Sequence, residues 1–236
     1  MASYMHTLIF GYYPYVALVV LLIGSIVRYD REPYTWRSGS SQLLRRRQLI
    51  VGSVLFHVGV LIVFFGHLVG LLTPIEVFDA IGISHGFKQL AAIVVGGIAG
   101  VMAVVGATLL LMRRLFDPRI RATSSFSDTS ILILLYVQLL LGLATILVSV
   151  QHLDGEEMVR FMEWSQAIFT FRSGAADHIA HVHWIFKLHL FIGLTIFLLF
   201  PFTRLVHMLS APVRYLWRPG YQITRSKQKA NPTARG

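Results

Sequence analysis

The sequence predicts an all-α membrane protein that crosses the bilayer five times. Three observations predict it. Of 236 residues, 55% are hydrophobic and only 14% charged, whereas soluble domains run nearer 25% charged, and the mean hydropathy is +0.65. Five apolar runs are each long enough to cover a hydrocarbon core about 30 Å thick, which takes roughly 20 helical residues. Basic residues gather between alternate runs, as the positive-inside rule requires. The composition excludes a soluble enzyme and a disordered chain. The unbroken runs exclude an outer-membrane barrel, whose strands are short and alternating.

The first run, about Leu8 to Val27, carries no charge. It lacks a basic leader and a small-residue cleavage site, so it reads as a span and not as a signal peptide. The second runs from about Leu49 to Leu72, the third from Leu90 to Met112, the fourth from Ser130 to Val150, and the fifth from Trp184 to Leu209. The first connection holds Arg28, Arg31, Arg37, Arg45, Arg46 and Arg47, and the third Arg113, Arg114, Arg119 and Arg121. The basic tail carries Arg214, Arg218, Arg225, Lys227, Lys229 and Arg235. The second connection has only Lys88, and basic residues in the fourth are offset by acids. The N-terminus is therefore expected outside and the C-terminus in the cytoplasm. Residues 1–213 read as one membrane domain and residues 214–236 as a basic cytoplasmic tail. The net charge of +10 is then mostly a topology signal, and nucleic acid is not an expected partner. With no cysteine, this chain offers no disulfide, thiolate zinc site, covalent c-type haem or iron–sulfur ligation.

Ionisable groups inside a span are functional candidates by default. His57 and His67 lie in the second span, His189 and His207 in the fifth. The second span runs from inside to outside and the fifth from outside to inside, so His57 and His207 fall toward the cytoplasm and His67 and His189 toward the outside. Imidazole pairs at two depths on antiparallel helices suit two six-coordinate b-type haems stacked across the bilayer. On one continuous helix the eighteen-residue interval between His189 and His207 is five turns, which places both on one face. The ten-residue interval between His57 and His67 rises only about 15 Å, so slanted ligation is expected. Gly59, Gly66, Gly70 and Gly193 would leave room for a flat ring. The competing reading of each histidine is a hydrogen bond to a neighbouring helix.

The segments RYDREPYTWRSGSSQ, LFHVGVLIVFFGHLVGLLTP, RRLFDPRIRAT, QHLDGEEM and LHLFIGLTIFLLFPFTRLVH resemble the membrane cytochrome b (gamma) subunit family of respiratory nitrate reductases, from about Tyr12 to Tyr215. The resemblance implies a bacterial inner-membrane anchor that oxidises quinol, menaquinol or ubiquinol, near the outer face. Electrons would pass through a distal haem b held by His67 and His189 and a proximal haem b held by His57 and His207. They would continue to a cytoplasmic iron–sulfur (beta) subunit and a molybdenum-cofactor (alpha) subunit that reduces nitrate. It also implicates Lys88 in quinol binding.

Other candidates carry less specific signals. Lys88 reads equally as a snorkelling interfacial lysine. Beside it, His85 is a candidate proton acceptor, and Gly70 would provide space for the quinol. Arg113, Arg114 and Arg204 suit haem propionates, though topology or partner docking would also account for them. Tyr34, Trp36 and Arg37 resemble interface residues. Pro201 predicts a kink in the fifth helix. His178, His181 and His183 read as part of a polar outer loop, the alternative being a metal site. The rivals are a di-haem anchor of another respiratory oxidoreductase (formate dehydrogenase, hydrogenase or heterodisulfide-type), a transporter with histidine proton relays, and a purely structural membrane subunit.

Overall fold

The computed structural model describes residues 3–36, 44–151 and 153–210. Arg37 and the basic tail from residue 214 onward lie outside the described residues, as does the expected domain boundary. Every regular element among the described residues is helical, and five helices are long and apolar enough to cross a membrane. They span Tyr4–Arg31, Arg46–Leu72, His85–Phe116, Phe126–Ser149 and Trp184–Phe202. Each overlaps its expected run. The third and fourth begin earlier than their apolar runs because capping residues, not hydropathy, set their starts: Ser84 and Ser125 accept hydrogen bonds from the first-turn N–H groups of Phe87 and Asp128.

Two prolines reshape spans. Pro14 has no N–H to donate, and the turn before it widens into a π-helical stretch at Leu8–Tyr12. The carbonyl it would have engaged, that of Phe10, instead accepts the Trp164 indole N–H at 2.9 Å. Pro201 acts more strongly than expected. The fifth α-helix does not kink and continue; it ends at Leu199, and 3₁₀ segments follow at Phe200–Phe202 and Arg204–Ser210. Pro201 seats in a notch of the first span, where a Cβ on Gly24 would meet its ring at 2.8 Å. The Arg28 guanidinium then donates to the Pro201 and Thr203 carbonyls at 2.7 and 2.8 Å. One arginine thus satisfies two carbonyls that the broken helix leaves over.

The second and third spans pack along small residues, which permits close backbone approach in lipid, where hydrophobicity drives no association. A Cβ on Gly59 would lie 2.5 Å from the Ala99 carbonyl oxygen, and one on Gly106 2.3 Å from the Phe56 nitrogen. The fifth span packs on the first and fourth. Tyr13 on the first span hydrogen-bonds Thr195 on the fifth at 3.0 Å.

Two clusters of large buried side chains lie toward the two ends of the bundle. At the arginine-rich end, Ile131, Ile196, Phe200, Leu205 and Val206 form a core that also holds Trp36, so Trp36 is a packing residue; Tyr34 is exposed. Arg45 pairs with Asp117 at 2.8 Å, tying the first and third connections together. Burial acts to raise the Asp117 carboxyl pKa. Hydrogen bonds from the Ile120 and Arg119 N–H groups and from Arg45 outweigh it and hold the group below the usual carboxylate range. At the opposite end, the fourth connection is more than a polar loop. It contains an amphipathic helix, Glu156–Phe169, whose inner face buries Met162, Trp164, Ser165 and Ile168. Ser165 and Gln166 donate to the Leu71 and Thr73 carbonyls at 3.3 Å each, closing the end of the second span.

The tightness of the second and third spans predicts a sharp contrast between glycines. Gly106→Leu should abolish accumulation of folded protein in membranes, because backbone stands where the new side chain must go, and overpacking costs about 1–3 kcal/mol or more. Gly96→Ala, where an added Cβ meets nothing within 4 Å, should accumulate at least as well as wild type. Immunoblotting of membrane fractions and thermal aggregation in detergent check both.

Candidate functional site

The four intramembrane histidines meet in two pairs. The rings of His57 and His207 have centroids 6.2 Å apart with planes at 74°. Those of His67 and His189 are also 6.2 Å apart, with planes at 39°. The pairing is the expected one, but its basis differs. His207 lies on the 3₁₀ segment after Pro201, so it does not share a helix face with His189. Leaving the helix at Leu199 lets an eighteen-residue interval on one chain segment match a ten-residue interval on the other.

The backbone fixes which ring nitrogen is available. His57 Nδ1 donates to the Ser53 carbonyl at 2.7 Å, and His67 Nδ1 to the Val63 carbonyl at 2.8 Å. His207 Nδ1 likewise donates to the Arg204 carbonyl. A carbonyl only accepts, so Nδ1 carries the proton in all three rings and Nε2 keeps a free lone pair. Metal-bound histidines are oriented by this same arrangement. His189 differs. It is half-buried, and its Nδ1 is buried without a hydrogen-bond partner among the described residues.

A haem fits this donor set. Metal–imidazole bonds of about 2.0 Å, with about 1.1 Å from nitrogen to ring centre, put two axial rings about 6.2 Å apart. Both pairs match that separation. His57 and His67 are exposed although they lie within a span, and an added Cβ at Gly66 or Gly70 meets nothing within 4 Å. The second span therefore has an uncovered face beside its histidines. Among the described residues no three or more of His, Cys, Asp and Glu converge on a metal-holding cluster. Each pair could supply two ligands to one iron. Two other glycines do not line this space: Gly59 contacts the third span, and an added Cβ on Gly193 would meet Gln138 Nε2 at 3.1 Å.

The arginines separate by position. Arg113 is buried and donates to the Leu44 carbonyl at 2.8 Å, holding the first connection. Arg204 lies 3.9 Å from Asp128, and its own carbonyl orients His207. Arg114 has a buried Nη1 without a hydrogen-bond partner among the described residues.

At the opposite end of the bundle, Lys88 and His85 stand one turn apart at the start of the third span. The Lys88 ammonium lies 3.9 Å over the Phe78 ring centre and 2.7 Å from Met162 Sδ. His85 Nε2 is 3.1 Å from Asp79 Oδ1. Phe78, Asp79 and Met162 are neighbours that periodicity alone did not single out, because they belong to connections and not to spans. His178 pairs with Glu163 at 3.1 Å beside a cavity of about 560 Å³ that Glu76 and Arg172 also line. The His183 ring accepts from the Ile185 N–H, capping the fifth helix, and His181 is exposed.

Gln138, on the fourth span, is the group that sequence reading missed. Its amide donates to the His189 carbonyl at 3.0 Å. The available signal was its polarity inside the run YVQLLLGLATIL.

Comparison with known proteins agrees with this architecture. The family model described as nitrate reductase gamma subunit matches residues 6–227. The chain is 48% identical over 225 residues to respiratory nitrate reductase 1 gamma chain of Escherichia coli, covering 95% of this chain and 99% of that one. It is also 48% identical over 228 residues to the respiratory nitrate reductase 2 gamma chain of the same organism, covering 97% and 100%. Nitrate reductase gamma chain of Bacillus subtilis is 39% identical over 220 residues, covering 93% and 98%. With its five spans and near full-length likeness, the chain belongs to the nitrate reductase gamma subunit family.

Proposed function

We propose that the chain is the quinol-oxidising cytochrome b anchor of a respiratory nitrate reductase in the bacterial inner membrane. The observation that carries this is the pair of imidazole couples, each 6.2 Å between ring centres. Three of the four rings are already held by Nδ1 with Nε2 free. His67 and His189 would hold a distal haem b near the outer face, and His57 and His207 a proximal one near the cytoplasm. When bound, two such haems supply one-electron transfer across the bilayer.

The orientation follows from charge. The end carrying Arg28, Arg45, Arg113 and Arg204 is assigned to the cytoplasm. There an iron–sulfur (beta) subunit and a molybdenum-cofactor (alpha) subunit would dock. The family membership supports a complex of this kind, and the lack of cysteine leaves cluster ligation to another chain.

Quinol oxidation releases two electrons and two protons. Lys88 is the group placed to donate a hydrogen bond to a quinol oxygen, in exchange for its contact with Met162. The open flank at Gly70 would give space for the ring, and His85, which pairs with the Asp79 carboxylate, would take up a released proton. Protons released outside and electrons delivered inside separate charge, worth about 2.3 kcal/mol per charge per 100 mV of membrane potential. No proton channel through the chain is needed.

Two measurements test this reading. A pyridine haemochrome assay on the purified complex should give two haems b per chain, falling to one in His67→Ala; two haems retained in that variant would refute the assignment. Lys88→Ala should keep both haems yet lower kcat/KM for quinol roughly ten- to hundredfold, the loss of a hydrogen bond to a charged group being about 1.5–3 kcal/mol. Unchanged quinol kinetics would remove Lys88 from the site.

A further inference from the structure

Gln138 and His189 occupy matching notches. On the fourth span, Gln138 is followed one turn later by Gly142; on the fifth, His189 is followed one turn later by Gly193. A Cβ on Gly142 would lie 3.1 Å from His189 Cε1, and a Cβ on Gly193 would lie 3.1 Å from Gln138 Nε2. Each span therefore gives up a side chain where the other presents a polar one. Into this double notch Gln138 Nε2 donates to the His189 carbonyl at 3.0 Å and lies 3.4 Å from the His189 ring at Nε2. Two buried atoms here, Gln138 Oε1 and His189 Nδ1, are without hydrogen-bond partners among the described residues.

The other three rings are held by carbonyls within three or four residues on their own chain segment, those of Ser53, Val63 and Arg204. His189 has no such hold. An imidazole that carries a metal needs its azimuth fixed by a neighbour, and that neighbour also tunes the metal it binds. An amide buried in hydrocarbon is costly unless it is used. We propose that Gln138 is the positioning residue for His189: its carboxamide, clamped on the His189 carbonyl and seated by Gly193, fixes the orientation of this imidazole and through it the electronic character of the distal haem. The inference rests on His189 being a haem ligand.

The test uses the complete purified complex and three variants. Gln138→Met keeps length and volume but cannot clamp the carbonyl. Gly193→Ala leaves the amide in place but forces it to shift by a few tenths of an ångström. His189→Ala reports on the underlying ligand assignment. Optical redox titration and low-spin ferric electron paramagnetic resonance are recorded for both haems. Gln138→Met is expected to retain two haems per chain, with a shifted midpoint potential and a displaced low-spin signal for the distal haem alone. Gly193→Ala is expected to produce a smaller displacement at the same haem.

A distal signal and potential that match wild type in Gln138→Met overturn the inference, as does an equal shift at both haems, which would signify general distortion. If Gln138→Met fails to assemble, an unchanged distal haem in Gly193→Ala overturns it. His189→Ala separates the two levels. Loss of one haem there alongside a wild-type-like Gln138→Met overturns only the role of Gln138, whereas two haems retained in His189→Ala overturns the ligand assignment beneath it.

Discussion

An imidazole in hydrocarbon must have both of its nitrogens accounted for, and that constraint organises this protein. Water is absent, so a ring nitrogen without a partner is costly. Three of the four histidines meet half the requirement locally, by donating Nδ1–H to a backbone carbonyl. Each ring also has a second ring across the bundle, at a centroid separation that one iron would span. The second span leaves its histidine-bearing flank uncovered at Gly66 and Gly70 while burying Gly52 and Gly59 against the third span, which keeps the space between histidines open and the helix itself anchored.

The two ends of the bundle make that geometry possible in different ways. At the arginine-rich end, Pro201 stops the fifth helix, Gly24 receives the proline, and Arg28 takes up the leftover carbonyls. The chain can then turn so that His207 faces His57. At the opposite end, Pro14 frees the Phe10 carbonyl for Trp164, and the amphipathic helix that carries Trp164 also places Met162 against Lys88. Helix breaks that would be liabilities in an isolated span become the points where a neighbouring element attaches.

Much of this was legible in the sequence. Length and hydropathy located all five spans, because the bilayer imposes a single length scale. The four histidines stood out because ionisable residues are rare in such runs, and antiparallel topology was enough to pair His57 with His207 and His67 with His189. What periodicity did not contain was tertiary. Pro201 signalled a disturbance, but whether a proline kinks or ends a helix depends on what satisfies the carbonyls of the segment beyond it, here Arg28, far away in sequence. Gly193 resembled the glycines beside the other histidines, yet its partner is Gln138 on a different span. The helix Glu156–Phe169 has a mixed composition that hydropathy passes over, so Met162 and its contact with Lys88 came only with the structure. Arg113 carried the expected charge, but its direction, toward the Leu44 carbonyl, is fixed by packing.

The claim on which the account stands is that each imidazole pair shares one iron porphyrin. A density map of the purified complex at side-chain resolution, with iron located by anomalous scattering, tests it most directly. The account predicts two iron peaks, each within a flat density, one between His57 and His207 and one between His67 and His189. Lipid or empty space between either pair, or iron held by other residues, would contradict it.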